Sequence, residues 1–246
     1  MELSIVIPAY NEEKRIGRTL QEYLFYFSKK YKDDVEVIVV LNGCRDNTMS
    51  VVERFKRYKQ LRILEFKEGI GKGGAVIEGW KVARGNNIGF VDADNSTTAE
   101  EFDRIFRSIG YADAVIASRY MKGAVVEPKQ PLSRRVASRG FNLLIRFLFG
   151  LKLADSQCGA KIFTKKVIEK ILPKMGITRW AFDIDLLYQL KRQGFTWKEV
   201  PTVWKDTEGS KLNVKKATVE MFLAVTRLRL MYSPLRFVVK IYEKVF

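Results

Sequence analysis

Apolar and polar positions alternate with two different periods along the first half of the chain. Short runs that are almost wholly apolar predict buried strands, whereas apolar residues three and four positions apart predict helices. The runs LSIVIPAY, VEVIVVLN, LRILEF, NIGFVDAD and DAVIASR predict strands over 3–10, 35–42, 61–66, 87–94 and 113–119. Helices are predicted over 12–31, 46–58, 73–84 and 98–109.

This alternation predicts βαβ units and a mostly parallel sheet with helices on both faces. In open sheets of this kind, ligands bind at the carboxyl ends of the strands. The first candidates for a site are therefore the polar residues that follow the predicted strands: Asn11 and Glu12, Asn42 to Asp46, Asp92 to Thr97, and Ser118 with Arg119.

The second half of the chain has a more basic pattern. Residues 132–151 and 214–246 combine Lys and Arg with apolar residues at helical spacing, and the second segment predicts two helices split at Ser233–Pro234. Amphipathic basic helices of this kind can lie in a membrane interface. Packing of their apolar faces on the core or on a second subunit is the alternative.

The composition indicates a globular protein and excludes several kinds of catalytic or structural site. A chain of 246 residues with 47% hydrophobic content suits a globular protein of one large or two small domains. Two cysteines, Cys44 and Cys158, argue against a disulfide framework and a zinc site. The chain has no histidine, which excludes Ser/His and Cys/His nucleophile schemes. Without a long apolar run or a leader-like start, we expect a cytoplasmic protein.

The charge points to an anionic partner. Lys and Arg total 44 against 28 for Asp and Glu, a formal net charge of +16. The charge alone does not decide among three classes of anionic partner, which are nucleic acid, acidic lipid headgroups and phosphorylated small molecules. The basic residues are not interleaved with aromatic residues on a recognisable nucleic-acid module, so we expect no nucleic-acid partner.

Asp92 and Asp94 are separated by one residue at the end of a predicted strand. Residues two apart on a strand share a face, and two carboxylates that close repel each other. A divalent cation such as Mg²⁺ or Mn²⁺ would remove the repulsion. A solvated turn in which Asp94 caps the next helix is the alternative, but the position after a strand of an α/β sheet favours a metal.

Two other loops carry candidate ligand-binding groups. The stretch 68–80, EGIGKGGAVIEGW, lacks the Ser or Thr of a Walker A loop after Lys72, yet its glycines and this lysine suit a diphosphate. An ordinary glycine-rich turn is the alternative. Asn42 and Asp46 can hydrogen-bond a base or ribose, or they can serve only the turn and the helix start.

Together these motifs resemble a known family. VIPAYNEE, GKGGA, the DAD motif and SRYMKG resemble the inverting nucleotide-sugar glycosyltransferases of family 2, which have the GT-A fold. SRRVASR, DSQCGAKIF, RWAFDIDLLY and TEGSKL are similar to the polyprenyl-phosphate sugar transferases. Among these the chain most resembles the dolichyl-phosphate β-glucosyltransferases, with the dolichol-phosphate mannose synthases as near relatives.

The resemblance implies a domain plan and an activity. It implies a GT-A catalytic domain over 1–213, divided into a nucleotide-sugar-binding half (1–118) and an acceptor-binding half (119–213), with amphipathic membrane-interface helices over 214–246. The implied reaction moves a hexose, glucose from UDP-glucose, onto a polyprenyl or dolichyl phosphate. A mannose synthase that uses GDP-mannose is the alternative. A phosphate acceptor is already ionised, which suits a chain without histidine.

The resemblance also implies roles for individual residues. Donor binding is implied for Pro8, Tyr10, Asn11, Glu12, Asn42, Lys72, Asp92, Ala93 and Asp94. Mg²⁺ or Mn²⁺ would be held by Asp92, Asp94 and Ser96, where Ser96 replaces a glutamine of the mannose synthases. Acceptor-phosphate binding is implied for Arg119, Arg134, Ser138, Arg139, Ser210 and Lys211. The residues implied in catalysis are Asp92, Asp94 and Asp155. Apart from these implied roles, Asp183 or Asp185 can contact sugar hydroxyls; the alternative is that both are structural.

The implied location is the cytoplasmic side of a membrane, with the protein bound peripherally to the membrane surface. A homo-oligomer and a separate membrane partner both stay open as further assembly states.

Overall fold

The computed structural model describes residues 1–128, 132–176, 181–205, 214–234 and 237, with the backbone alone for 132–134 and 214–218. Its strands are β1 (Leu3–Ala9), β2 (Val35–Asn42), β3 (Leu61–Phe66), β4 (Asn87–Val91), β5 (Ala114–Ser118), β6 (Val125–Glu127), β7 (Ala160–Thr164), β8 (Trp197–Pro201) and β9 (Val203–Lys205). Its α-helices are α1 (Ile16–Tyr31), α2 (Thr48–Glu53), α3 (Gly71–Val82), α4 (Ala99–Arg107), α5 (Leu132–Phe149), α6 (Lys165–Ile171), α7 (Phe182–Arg192) and α8 (Val214–Met231). Two 3₁₀ turns cover Lys32–Asp34 and Leu172–Lys174.

A seven-stranded sheet in the order β3-β2-β1-β4-β7-β5-β8 forms the centre of the fold. Its neighbours pair in parallel except at β7, which runs antiparallel to β4 and to β5. The predicted α/β fold with a mostly parallel sheet is therefore confirmed. Because β7 is antiparallel, its first residue Ala160 lies opposite Val91, the last residue of β4. The loop before β7 thus reaches the same edge as the turn after β4.

The sheet is covered on both faces, as the alternation predicts. Alternate side chains of β1 face opposite sides, so Ile5 and Ile7 pack towards α1 and α4 while Val6 packs towards α3. The second core continues under α6 and α7 and contains Phe90 and Phe163. Every residue of β2 is buried, which accounts for its nearly continuous apolar run.

Two predicted element bounds next to the site are wrong. The predicted strand 87–94 ends at Val91, so Asp92 and Asp94 lie in the turn beyond it. The chain turns there because Asn95 adopts a left-handed backbone (φ 59°) and the Asp94 carboxylate accepts the Ser96 N–H. Helix α3 begins at Gly71 instead of residue 73, which places Lys72 in its first turn.

The predicted helix 46–58 is also shorter in the structure. Its first turn begins at Thr48, because the Asp46 carboxylate accepts the Thr48 N–H at 3.0 Å. Beyond Glu53 the backbone continues in tighter turns, in which Phe55, Lys56 and Tyr58 each donate to a carbonyl three residues back.

The two basic amphipathic segments do form helices. Helices α5 and α8 contact each other, and α8 leads into a turn at Ser233–Pro234, where the predicted split lies. The predicted second helix of this segment lies outside the described residues, apart from Phe237. In the part of the chain that the structure describes, no helix combines the length and the apolar character needed to span a membrane. Strands β7 and β8 belong to the same sheet as β1 to β5, and the division at residue 118 stays a prediction.

Candidate active site

The acidic turn, residues 92–98, lies at the carboxyl edge of β4. Asp92 donates its backbone N–H to the carbonyl of Gly159, and its carboxylate oxygen Oδ1 lies 2.5 Å from Lys72 Nζ. A Cβ placed on Gly159 would stand 1.9 Å from Asp92 Oδ2. Position 159 therefore requires glycine, because any side chain there would displace the Asp92 carboxylate.

Helix α1 holds the acidic turn from behind. Thr19 Oγ1 donates to the Ala93 carbonyl at 2.7 Å. The Glu22 carboxylate accepts the Asn95 side-chain amide at 2.7 Å and the Ala99 N–H at 2.8 Å. Neither Thr19 nor Glu22 was predicted as a site residue. Their sequence signal is weak, since they are polar residues beside the apolar stripe of α1.

The acidic turn carries more negative charge than its neighbours compensate. Burial and then the charge of Asp92 raise the pKa of Asp94 above its ordinary value. Burial raises the pKa of Glu12 as well, and Asp94 and Asp92 add to this although Arg15 opposes it. Asp94 does not cap α4; the Thr98 hydroxyl does so by accepting the Glu101 N–H.

The acidic turn fits a divalent cation that is shared with a ligand. One Asp94 oxygen accepts the Ser96 N–H at 2.9 Å, and the buried Ser96 hydroxyl has no hydrogen-bond partner among the described residues. Across those same residues, three or more acidic or cysteine side chains never gather closely enough to hold a metal alone. Asp92, Asp94 and Ser96 would leave places for substrate oxygens, the usual arrangement for Mg²⁺.

The glycine-rich loop and the turn after β2 are packed together. Asn42 is buried and its side-chain carbonyl accepts the Ile70 N–H at 2.7 Å, next to the start of α3. Gly43 has a φ of 67°, and a Cβ there would lie 2.7 Å from the nitrogen of Gly69. The Asn42 amide therefore fixes the loop that presents Lys72, and its predicted contact with a base stays a prediction.

Lys72 faces the acidic turn from the first turn of α3. Partial desolvation would lower the pKa of Lys72, whose side chain stays 42% exposed, but the charges of Asp92, Asp183 and Asp94 raise it above its ordinary value. The lysine is therefore a permanent cation at a helix N-terminus, where anions bind favourably.

The loop after β1 is tied to the residues after β2. The Asn11 side chain accepts the Arg45 N–H at 2.8 Å, and Glu12 donates its N–H to Thr48 Oγ1 at 2.7 Å. Glu12 also forms a two-pronged ion pair with Arg15. The ring of Tyr10 is 56% exposed beside these residues, and Pro8 lies at the end of β1. The predicted nucleoside-binding residues thus share one edge of the sheet.

Arg119 and Asp155 form a buried ion pair after β5. Arg119 donates from Nε to Asp155 Oδ2 at 2.7 Å, from Nη2 to Oδ1 at 3.0 Å, and from its backbone N–H to Oδ2 at 3.0 Å. Burial would raise the pKa of Asp155, but Arg119 holds it below its ordinary value. The Arg119 guanidinium also lies 5.1 Å from the centre of the Trp204 ring. Asp155 therefore positions Arg119.

Comparisons with known proteins identify the family of this chain. The family model "Glycosyl transferase family 2" matches residues 4–172. The chain belongs to glycosyl transferase family 2. It is therefore a glycosyltransferase, as the sequence motifs predict.

Several similar curated proteins are dolichyl-phosphate beta-glucosyltransferases. A dolichyl-phosphate beta-glucosyltransferase of Dictyostelium discoideum is 31% identical over 94% of this chain and 74% of that protein. One of Drosophila melanogaster is 35% identical over 86% of this chain and 69% of that protein.

Among solved structures, glucosyl-3-phosphoglycerate synthase of Mycobacterium tuberculosis, in complex with Mn²⁺ and UDP, is similar in fold. It has a TM-score of 0.69 and 19% identity, over 93% of this chain and 79% of that one. At this identity the similarity shows the fold alone, which is GT-A.

Several predicted acceptor residues of this family 2 transferase lie on α5. The backbone of Arg134 lies in its first turn, Ser138 is half-buried and Arg139 is exposed. Ser210 and Lys211 lie outside the described residues. The acceptor roles of all these residues stay predictions.

The two aspartates of α7 differ in their surroundings. Asp185 is buried and accepts the Tyr232 hydroxyl at 2.5 Å, a contact that ties α7 to the turn after α8. Asp183 instead pairs with Lys161, whose Nζ lies 2.6 Å from Asp183 Oδ1. Sequence reasoning missed Lys161. The available signal was a lysine inside the otherwise apolar strand AKIFT.

Proposed function

We propose that this family 2 transferase moves glucose from UDP-glucose to a polyprenyl or dolichyl phosphate, with inversion at the anomeric carbon. The observation that carries the proposal is the similarity to dolichyl-phosphate beta-glucosyltransferases at 30–35% identity over 86–94% of the chain. These relatives do not favour the mannose synthase alternative with GDP-mannose. Ser96, in place of a glutamine, supports the same choice.

The donor would bind at the acidic turn and the N-terminus of α3. Asp92 and Asp94, with Ser96, would hold Mg²⁺ or Mn²⁺. The bound cation would stabilise the negative charge of the departing UDP. Lys72 adds a fixed positive charge from the first turn of α3, where free backbone N–H groups suit phosphate oxygens. Tyr10, Asn11 and Glu12 would border the nucleoside.

The acceptor phosphate would bind at Arg119. Two of its guanidinium nitrogens, Nε and Nη2, are held by Asp155, and Nη1 makes no hydrogen bond among the described residues. Arg134, Ser138, Arg139, Ser210 and Lys211 complete the proposed set. A phosphate monoester carries most of its negative charge at neutral pH, with a second pKa of about 6, so its oxygen can attack without a strong general base. Positioning and charge stabilisation are then sufficient for transfer.

Helices α5 and α8 would contact the membrane that holds the acceptor. Val136, Leu143 and Phe147 are exposed on α5 at spacings of one and two helical turns, and Phe222 and Leu223 are exposed on α8. Exposed arginines of α5 flank these apolar side chains along the helix: Arg135, Arg139 and Arg146. Apolar side chains flanked by basic ones suit an anionic lipid surface. We place this peripheral contact on the cytoplasmic side, with a homo-oligomer or a separate membrane partner as further possibilities.

A donor screen tests the proposed reaction. Thermal unfolding is measured with Mn²⁺ and UDP-glucose, UDP-N-acetylglucosamine or GDP-mannose, because a ligand at 100 times its Kd stabilises a protein by about 2.7 kcal/mol. We expect the largest stabilisation from UDP-glucose, followed by transfer to dolichyl phosphate in vesicles and a β-linked product. Preferential transfer from GDP-mannose would contradict the proposal.

Vesicle binding tests the membrane surface separately. The double substitution Leu143→Ser with Phe147→Ser should lower binding to vesicles that contain anionic lipid, because it removes exposed apolar area from α5. The control is Phe25→Ser, which removes a ring that is 62% exposed from α1, against 86% for Phe147. Equal losses in both variants would show that α5 has no special part in binding.

A further inference from the structure

A second ion pair, Lys161 with Asp183, lies beside the site and has no role in the function proposed above. The Lys161 side chain is 0% exposed, and its ammonium donates to Asp183 Oδ1 at 2.6 Å and to the Cys158 carbonyl at 2.7 Å. Lysine is almost never fully buried without a partner, because a bare ammonium is costly to remove from water. The position therefore has a specific charge requirement.

The register of the sheet places Lys161 on a face that is otherwise apolar. It stands opposite Phe90 in the pairing of β4 with β7. Phe163, two residues further along the same face of β7, packs in the core under α3 and α7. An apolar residue would fill the position of Lys161 without the cost of desolvation. The lysine thus serves the carboxylate that it holds, which is Asp183.

The ring of Phe90 links this pair to the acidic turn. Lys161 Nζ lies 5.3 Å from the centre of the ring, and Lys72 Nζ lies 5.7 Å from the same centre. Lys72 holds Asp92 and Lys161 holds Asp183. The two carboxylates are therefore each fixed to an ammonium group that contacts one shared ring, so they belong to a single cluster.

Helix packing brings Asp183 to the same place. The ring of Phe182, the residue before Asp183, fills the space beside Gly73, where a Cβ would lie 2.5 Å from the ring. The first turn of α7 thus packs directly on the first turn of α3, which carries Lys72. Gly73 is required for this approach.

The Asp183 carboxylate keeps one oxygen for a ligand. Lys161 occupies Oδ1, whereas Oδ2 has no hydrogen bond among the described residues, and the side chain is 13% exposed. An ionised carboxylate only accepts hydrogen bonds, so its partners must be donors such as hydroxyl groups. Metal-held phosphates offer no such donors, but the sugar that is attached to them does.

We propose that Asp183, positioned by Lys161, accepts hydrogen bonds from hydroxyl groups of the donor sugar and thereby selects the sugar that is transferred. This inference rests on the proposed function, since it takes the donor to be a nucleotide sugar. Lys161 is a positioning residue. Its positive charge offsets the repulsion between Asp183 and the carboxylates of Asp92 and Asp94.

The test compares two ligands that differ only in the sugar. Calorimetric titration with Mn²⁺ is carried out with UDP and with UDP-glucose on the wild type and on Asp183→Asn, which preserves size. We expect Kd for UDP to change less than about 2-fold and Kd for UDP-glucose to rise at least about 10-fold, because a hydrogen bond to a charged acceptor is lost. Equal losses for both ligands, or no loss for either, would overturn the proposal.

Two further variants separate positioning from folding. Lys161→Met should reproduce the selective loss of UDP-glucose binding. Lys161→Arg should retain part of the UDP-glucose binding, because it keeps the positive charge. The matched control is Asp185→Asn on the same helix. It should lower the melting temperature through the lost Tyr232 contact and leave the ratio of the two Kd values unchanged. A changed ratio in the control would count against a special role for Asp183.

The donor that the wild type binds decides which pair of ligands is used. If GDP-mannose binds and UDP-glucose does not, the proposed function fails, and the same ratio is measured with GDP and GDP-mannose. A selective loss in Asp183→Asn would then still support the sugar contact. The two failures are thus distinguished.

Discussion

The two charged regions of the site are compensated in opposite ways. In the acidic turn, Asp92 forms an ion pair with Lys72. The pKa of Asp94 is raised, because burial and the charge of Asp92 both disfavour its ionised form. Across the cleft, Arg119 and Asp155 neutralise each other, and the pKa of Asp155 lies below its ordinary value despite burial. The proposed donor region thus carries negative charge that a bound cation would offset, whereas the charges of the proposed acceptor region are already paired.

The difference shows what each region contributes. A region whose charges repel gains free energy from a ligand that carries the missing charge, so a bound cation would stabilise the acidic turn. A region whose charges are already paired can orient a phosphate without rearrangement, which is the electrostatic preorganisation that favours catalysis. Removing a carboxylate should therefore have opposite effects on stability in the two regions.

The largest expected effect is on turnover, in Asp94→Asn. Transfer with Mn²⁺ should fall at least about 100-fold, since a bound cation supplies several kcal/mol of charge stabilisation. The free energy of unfolding without metal should not fall, because the substitution relieves repulsion with Asp92. Initial rates and urea unfolding in the presence of chelator measure the two effects. Undiminished transfer in the variant, or in the wild type with excess chelator, would contradict the metal role.

The next largest effect is on stability, in Asp155→Asn. The free energy of unfolding should fall by about 3 kcal/mol, because the substitution leaves the Arg119 cation buried without its partner. The control is Asp33→Asn, which removes a surface ion pair whose two side chains are more than 70% exposed and should cost less than about 1 kcal/mol. Urea midpoints compare the variants. Similar losses at both positions would show that the buried pair is not special.

The smallest effect is the pH dependence of that loss. Because the folded pKa of Asp155 is lowered, its contribution to stability is present above the unfolded value of about 3.9 and is lost as pH falls through the folded value. The gap in unfolding free energy between wild type and Asp155→Asn should therefore be constant from pH 7 to pH 5 and narrow below pH 4. Urea midpoints across this range measure the gap, and a gap that widens on acidification would reverse the assignment.

Local patterns predicted the parallel part of the fold well. The five strands of the first half were each found, because a buried parallel strand is a short apolar run that the sequence displays directly. The candidate residues followed from the rule that ligands bind at strand carboxyl ends. The place of Asp92 and Asp94 beyond β4 was missed, because the strand end depends on the left-handed Asn95.

Long-range contacts account for what the sequence could not predict. The antiparallel β7 lies between β4 and β5, and the residues of β7 alone do not indicate this strand order. The partner of Asn42 is Ile70, and the partner of Lys161 is Asp183 in another helix. Such pairs arise from topology, so a polar residue in an apolar stretch signals only that some partner exists.

The glycine at position 159 has a consequence for how the two regions communicate. Residues 155–159 begin with the carboxylate that holds Arg119 and end at the glycine that lies against the Asp92 carboxylate without a side chain between them. This segment is a five-residue link between the two charged regions. Its backbone carries both contacts, so a displacement of the acidic turn would bear on the short segment whose first residue holds Arg119.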